Sequence, residues 1–232
     1  FGHSVLGTKA MSSITKGMHN AFGIPLWTPA MPKAFKTNSQ LSTPAPRQNK
    51  VVYFPSCINQ TMGLPKKSPV EQALVSKMIA LLQKGGYEVI FPKNMEKLCC
   101  GTIWESKGML DIADRKTAEL EAALWEASEQ GRYPVLCDQS PCLHRMRETI
   151  RRMKLYEPAE FIYTFLRDKL VFTPIDRPVA VHITCSMRKM GLADTIIALA
   201  CLCSTKVIVP EEVGCCGFAG DRGFTYPELN AY

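Results

Sequence analysis

The sequence predicts an α/β fold of two related units with parallel sheets and covering helices, the second of them truncated. Short apolar runs alternate with amphipathic stretches along most of the chain, the pattern of parallel strands joined by helices. A second observation is a repeat in which a strand, a lone cysteine and a CCG sequence follow one another twice. The first copy contains Cys57 and Cys99–Cys100, and the second contains Cys185 and Cys215–Cys216. Strands connected in this way should form right-handed βαβ units.

Residues 1–49 are predicted to be a basic, proline-rich linker or arm. Their prolines exclude a long element, and the stretch MSSITKGMHNAF is the only plausible short helix. Residues 1–50 hold six Lys or Arg and no acidic residue. Residues 51–232 hold the other 22 basic residues and all 21 acidic residues, so their charges nearly cancel. The basic character therefore belongs to this leading segment. An alternative role is contact with an acidic partner or with an anionic membrane surface.

The first unit, residues 50–177, is predicted to contain strands and helices in alternation. The helix signals are apolar residues at helical spacing and glycines that end a run, such as Gly85-Gly86 after Lys84. The predicted strands are Val51–Phe54, Tyr87–Phe91 and Pro134–Asp138. The predicted helices are Pro69–Lys84, Lys107–Gln130, Leu143–Lys154 and Ala159–Leu170.

The pattern restarts in an incomplete second unit, residues 178–232. Its predicted elements are a strand over Val179–Ile183, a helix over Arg188–Cys203 and a strand over Lys206–Val209. Only 15 residues follow Gly217, so the third strand and the closing cysteine of the first unit have no counterpart here.

Composition narrows the class of protein. A hydrophobic content of 46% predicts a real core, no apolar run reaches the roughly 18 residues of a membrane span, and no signal peptide begins the chain. Ten cysteines without an export signal indicate reduced metal-binding or redox residues, which predicts a cytoplasmic location. Because the chain opens on Phe1, it is expected to be part of a longer protein. The near-neutral body lacks the basic face that nucleic-acid binding requires, so no nucleic-acid partner is expected.

Most of the cysteines come shortly after predicted strands, and this position predicts that they lie near one another. In an open parallel sheet the loops at the carboxyl ends of the strands line one crevice where ligands bind. Cysteines far apart in sequence can therefore converge there. The predicted metal ligands are Cys57, Cys99, Cys100, Cys137, Cys142, Cys185, Cys215 and Cys216.

Two adjacent cysteines suit a site with several metal atoms. Bringing both thiolates to one place needs a tight turn, which the glycine directly after each pair permits. A single zinc ion is more often held by cysteines two to four residues apart, whereas each sulfur of an adjacent pair can serve a different iron. An iron–sulfur cluster is therefore favoured, with zinc or no metal as the alternative. Cys137 can equally be a packed strand residue, and Cys201 and Cys203 are most simply core residues.

These motifs resemble the cysteine-rich CCG domain over approximately residues 50–232. That domain occurs in heterodisulfide reductases, in the iron–sulfur component of glycolate oxidase and at the C-terminal end of FAD-linked, iron–sulfur D-lactate dehydrogenases. The stretches FPSCINQTMG, EKLCCGTIWESKGM, SPCLHRM and VGCCGFAGDRGFTYPELNA look most similar to the D-lactate dehydrogenase group. The chain departs from the family pattern at Gln139, where a closing CxxC would have a cysteine, and in the missing closing cysteines of the second unit.

The resemblance implies an electron-transfer segment of an FAD-dependent D-2-hydroxy acid dehydrogenase of the D-lactate or glycolate type. The implied cofactors are an iron–sulfur cluster of the 4Fe-4S type here and FAD on an upstream domain. Implied partners are the upstream FAD and ferredoxin-like domains and a quinone or other electron acceptor. Peripheral contact at the inner face of the membrane is a separate expectation from the basic leading segment. The isolated chain should not oxidise the substrate. The alternative is a structural or interaction domain whose cysteines bind zinc or nothing.

Overall fold

A computed structural model describes residues 5–28, 31, 49–65, 68–211, 213–214, 216–218 and 220–230. The chain begins with helix α1, Gly7–Phe22, which starts four residues earlier than the sequence indicates and ends at Gly23 in a left-handed conformation. Within residues 5–28 and at residue 31 no strand is present. The rest of the predicted linker lies outside the described residues.

The first unit is built on a parallel sheet in the order β2-β1-β3-β4. Strand β1 lies in its middle, where Val52 is in register with both Ile90 and Val135. Residues 51–54 are almost completely buried because helices cover both faces of the sheet, which explains their continuous apolar run. The strands are β1 (Asn49–Phe54), β2 (Tyr87–Ile90), β3 (Val135–Cys137) and β4 (Leu155–Tyr156), of which the two-residue β4 was not predicted.

The helices of the first unit form a separate core on each face of the sheet. On one face Leu120 and Leu124 pack with Leu143 and Met146, and on the other Leu82 packs with Phe161. The helices are α2 (Cys57–Thr61), α3 (Leu74–Lys84), α4 (Thr102–Glu105), α5 (Leu110–Ala127), α6 (Ser140–Thr149) and α7 (Pro158–Phe161), which continues as a π-helical turn over Ile162–Leu166. Three of the predicted helices are present but shorter. The helix predicted over Leu143–Lys154 begins three residues earlier, at Ser140, and ends at Thr149, and α2 and α4 were not predicted.

The second unit pairs strand β5, Ile175–Ala180, in parallel with strand β6, Ser204–Ile208. The strand predicted at Val179–Ile183 is therefore wrong in its bounds. Val181 and Ile183 are buried in the second core, but they lie in the connection after β5 rather than in the strand. The predicted helix over Arg188–Cys203 is two helices, α8 (Cys185–Lys189) and α9 (Ala193–Cys203), since Gly191 between them has a positive φ of 70°.

The two units pack at the edge of the sheets where the strands end. Hydroxyl groups join the start of α6 to the start of α8: Ser186 donates to Ser140 at 2.7 Å, and Ser140 lies 3.1 Å from Thr184. The loop after β6 contacts the first unit through a 2.9 Å ion pair between Asp221 and Lys107. In the described part of the chain, no helix combines the length and apolar character needed to cross a membrane.

Candidate metal centre

The parallel sheet brings the cysteines of the first unit to its carboxyl edge. Cys57 is the first residue of α2, directly after β1, and Cys137 is the last residue of β3. Cys99 and Cys100 follow β2 after a single 3-10 turn, and Cys142 lies in the first turn of α6. These cysteines come from every segment that leaves the central strands at this edge.

The adjacent pair is shaped by a turn that only glycine fits. Gly101 has a φ of 89°, and its amide lies 3.4 Å from the Cys99 sulfur, to which it donates. A Cβ at residue 101 would lie 2.5 Å from the Ala113 carbonyl oxygen and 2.7 Å from the Thr117 hydroxyl. The glycine therefore allows the backbone to approach α5 closely while the two thiols remain at one edge of the sheet.

The thiols of this edge are close enough to interact. The interaction of the Cys100 thiol with Cys142, together with burial, raises the pKa of Cys100 to about 12. The interaction with Cys100, and then burial, raises the pKa of Cys99 well above its ordinary value. Burial, followed by the nearby Cys99 thiol, raises the pKa of Cys57. Without a metal these thiols stay protonated at neutral pH, so a metal would have to displace protons.

Cys137 lies in the core beside this group. Its side chain is fully buried, in the core cluster that also contains Val52, Phe54, Cys100 and Cys142. Burial, followed by the nearby charge of Asp138, raises its pKa well above the ordinary value. A packed role and a ligand role both fit this position, so its assignment as a ligand stays a prediction.

A buried aspartate connects the ends of two strands beneath the cysteines. The Tyr53 hydroxyl donates to one oxygen of Asp138 at 2.6 Å, and the Ser56 amide donates to the other at 2.8 Å. Ser56 also caps α2 through its hydroxyl. Because Cys57 follows Ser56 and Cys137 precedes Asp138, this carboxylate fixes the distance between two cysteine-bearing segments.

A buried arginine supports the CCG turn from below. Arg145 is 4% exposed, and its Nε donates to the Thr117 hydroxyl at 3.1 Å. That hydroxyl lies 2.8 Å from the Cys100 carbonyl oxygen, to which it donates. The guanidinium also pairs with Glu105 at 2.5 Å and with Asp114 at 2.6 Å. Arg145 thus connects α6, which carries Cys142, to the backbone of the adjacent pair.

The described ligands predicted in the second unit include no buried cysteine, whereas in the first unit Cys57 is exposed but Cys100 and Cys142 are buried. Cys185 is the first residue of α8, and both Cys185 and Cys216 are exposed. Gly217 has a φ of 71°, and a Cβ there would overlap the Leu229 carbonyl oxygen, so this turn also requires glycine. Cys215 lies outside the described residues. Cys201 and Cys203, which were predicted to be core residues, are exposed on α9 instead.

The donors of the first unit fit an iron–sulfur cluster in chemistry. Cys57, Cys99, Cys100 and Cys142 supply thiols from separate loops, and Gly101 supplies an amide donor to sulfur of the kind that tunes such clusters. Within the described ranges, no three Cys, His, Asp or Glu side chains already stand in a metal-binding arrangement. Binding of a cluster would therefore require these thiols to move closer together.

Sequence reasoning missed the residues that position the cysteines. Tyr53 and Asp138 are 85 residues apart, and no local pattern indicates their hydrogen bond. Arg145 had a weak signal, because it follows Cys142 by three residues and so lies on the same side of α6. The hydroxyl groups of Ser140, Thr184 and Ser186 at the junction of the units carried no signal in the sequence.

Comparison with known protein families supports this description. The model of the CCG cysteine-rich domain matches residues 51–147 and 179–231, more than half of the chain, and both matches include one CCG turn. No curated protein and no solved structure is similar enough to add to this match. Domains of this kind are typical of iron–sulfur electron-transfer segments in oxidoreductases. The two matched segments, each with its lone cysteine and its CCG sequence, show that this chain belongs to the CCG cysteine-rich domain family.

Proposed function

We propose that this chain is the iron–sulfur electron-transfer segment of an FAD-dependent D-2-hydroxy acid dehydrogenase of the D-lactate or glycolate type. The observation that carries the proposal is the meeting of the Cys57, Cys99, Cys100 and Cys142 segments at one sheet edge, where Cys100 and Cys142 are buried. The likeness of the motifs to D-lactate dehydrogenases supports the finer assignment. Electrons would pass from reduced flavin on an upstream domain toward a quinone or another acceptor.

The chain's own residues would hold and shield the group. Cys57, Cys99, Cys100 and Cys142 would ligate it, and a bound cluster would supply one-electron transfer. On the buried side of the site Phe54 is 1% exposed and Val52 is fully buried in the same core cluster as Cys100, which keeps water away from the Cys100 sulfur. The Gly101 amide would stabilise negative charge on the Cys99 sulfur.

The proposal predicts unequal loading of the two cysteine sets. Cys100 is 5% exposed and Cys142 is also buried, whereas Cys216 is exposed, so the first set should hold iron more firmly. The chain is reconstituted anaerobically with iron and sulfide as the parent and as the Cys100→Ser and Cys216→Ser variants. Iron content and visible absorption should fall sharply with Cys100→Ser and hardly change with Cys216→Ser. Cys203→Ser is the matched control, because Cys203 is an exposed cysteine on α9.

Two outcomes would contradict the assignment. Failure of the parent chain to take up iron, with stoichiometric zinc uptake instead, would favour a structural zinc domain. Equal losses of bound iron in the Cys100→Ser and Cys216→Ser variants would show that the first cysteine set does not hold iron more firmly than the second.

The enzyme assignment has its own experiment. A protein that joins this chain to FAD and ferredoxin-like domains should oxidise D-lactate or glycolate with an artificial acceptor, and the 232-residue chain alone should not. Turnover by the chain alone would overturn the proposed division of labour.

A further inference from the structure

Helix α1 exposes an apolar stripe that the rest of the described chain leaves uncovered. At 100° per residue its apolar side chains fall within one side about 120° wide. Ile14 is 48% exposed, Met18 43% and Phe22 78%, and no residue of the helix is buried. The stripe consists of Ala10, Met11, Ile14, Met18, Ala21 and Phe22. A continuous exposed apolar surface of this kind marks an interaction site.

The segment after the helix fixes which side of α1 remains open. The chain turns back at Gly23, and the Thr15 hydroxyl donates to the Trp27 carbonyl oxygen at 3.3 Å. His19 lies 2.8 Å from the Ile24 carbonyl oxygen, and the Leu26 amide donates to Phe224 of the second unit at 2.6 Å. These contacts occupy a polar flank of the helix and tie it to the body. The apolar stripe consequently faces outward.

The positive charge of this region indicates which kind of surface α1 would bind. Lys9 and Lys16 lie on the side opposite the stripe, and residues 1–50 contain no Asp or Glu, while the rest of the chain is nearly neutral. The remaining polar positions of the helix are small or uncharged, mainly Ser and Thr. A helix with an apolar stripe, basic residues and no acidic residue matches a negatively charged lipid surface.

We propose that α1 is an interfacial anchor that lies flat in the headgroup region of an anionic bilayer. Its 16 residues span about 24 Å, so it would lie along the surface, with Ile14, Met18 and Phe22 reaching the acyl boundary. The lysines would remain among the phosphates. This anchor is independent of whether the cysteines hold iron, and it would place an electron-transfer body beside the membrane.

The experiment uses the complete 232-residue chain and sedimentation with vesicles. Vesicles of phosphatidylcholine with phosphatidylglycerol should pellet the parent chain, and vesicles of phosphatidylcholine alone should pellet much less. The double variant Ile14→Asp, Met18→Asp should lower partitioning about tenfold or more, since it puts two charges on the buried stripe. Reversal of Lys9 and Lys16 to Glu should lower it by about fivefold or more per position.

Val171→Asp is the matched control for the apolar substitutions. Val171 is 88% exposed and lies outside α1, so its variant should bind the vesicles like the parent. Equal unfolding midpoints for all variants would show that the body is unchanged. Three outcomes would overturn the proposal: no binding to anionic vesicles, an equal loss with Val171→Asp, or full binding by the Ile14→Asp, Met18→Asp variant. Self-association that disappears in that double variant, without lipid binding, would assign the stripe to a second copy of the chain instead.

Discussion

Replacement of Gly101 by alanine tests whether the CCG turn depends on close backbone packing. The added Cβ would meet the Ala113 carbonyl oxygen at 2.5 Å, and the Arg145 Nε and Thr117 Oγ1 at 2.7 Å each. All three distances are shorter than an ordinary van der Waals contact, and the carbonyl oxygen belongs to the backbone of α5. The turn must therefore shift if it is to accept the methyl group.

The magnitude follows from two contributions. A residue with a Cβ at a φ of 89° costs about 1–2 kcal/mol, and overpacking in a filled site costs about 1–3 kcal/mol more. Substitution of Gly108 measures the backbone cost alone, because its φ is 76° but no atom lies within 4 Å of the added Cβ. Gly108→Ala should therefore cost about 1–2 kcal/mol, and Gly101→Ala about 2–5 kcal/mol. The gain from a stiffer unfolded chain is the same in both variants and cancels in the difference.

The assay is urea denaturation of the reduced, metal-free chain, followed by anaerobic iron uptake at a temperature where both variants are folded. Gly101→Ala should be the less stable variant and should load less iron, since its turn carries the Cys99 and Cys100 sulfurs. Gly108→Ala should load like the parent. Equal free energies of unfolding for the two variants, within about 0.5 kcal/mol, would refute the argument from close packing.

Three further predictions concern the residues around the cysteines. Arg145→Met should lower the free energy of unfolding by about 2 kcal/mol and reduce iron uptake, with Arg145→Lys only partly restoring both. Arg152→Met loses an ion pair whose arginine side chain is 47% exposed, and an equal loss of unfolding free energy in that variant would contradict the prediction. Asp138→Ala should lower the free energy of unfolding, measured by urea denaturation, by about 2 kcal/mol. The loss should be smaller in a Tyr53→Phe background, where no buried hydroxyl is left unpaired, and the same loss in both backgrounds would contradict the prediction. Because burial raises the pKa of Cys137 above 9.0, the folded chain keeps a proton that the unfolded chain loses, so stability should fall as pH rises above 9.0. Replacement of Cys137 by alanine should make the fall of unfolding free energy with pH less steep by about 1.4 kcal/mol per pH unit. The same pH dependence in the variant and the parent would contradict the prediction.

The parallel architecture and the meeting of the cysteines were predictable because both follow from short-range patterns. Buried runs such as Val51–Phe54 identify central strands, and topology then brings Cys57, Cys100 and Cys142 to one edge. The bounds of β5 were not predictable in the same way. Its sequence IDRPVA is polar because the strand is largely exposed, so the apolar run that follows it looked more like a strand.

The supporting contacts depend on tertiary neighbours and leave no local pattern. The hydrogen bonds of Asp138 and Thr117 join segments far apart in sequence, and each residue type is common in loops or helices for other reasons. Arg145 shows the limit clearly: its position on α6 could be anticipated, but its burial beneath the CCG turn could not. The sequence thus indicates which residues carry the chemistry better than which residues hold them in place.

The hydroxyl contacts between α6 and α8 imply that the two units do not fluctuate independently. Ser140 lies two residues before Cys142, and Thr184 lies one residue before Cys185, so the same few atoms border both cysteine segments. A ligand that immobilises the start of α6 lowers the entropy lost when α8 docks on it. Amide hydrogen exchange in α8 should therefore slow when only the first cysteine set is occupied, although α8 carries none of the cysteines of that set.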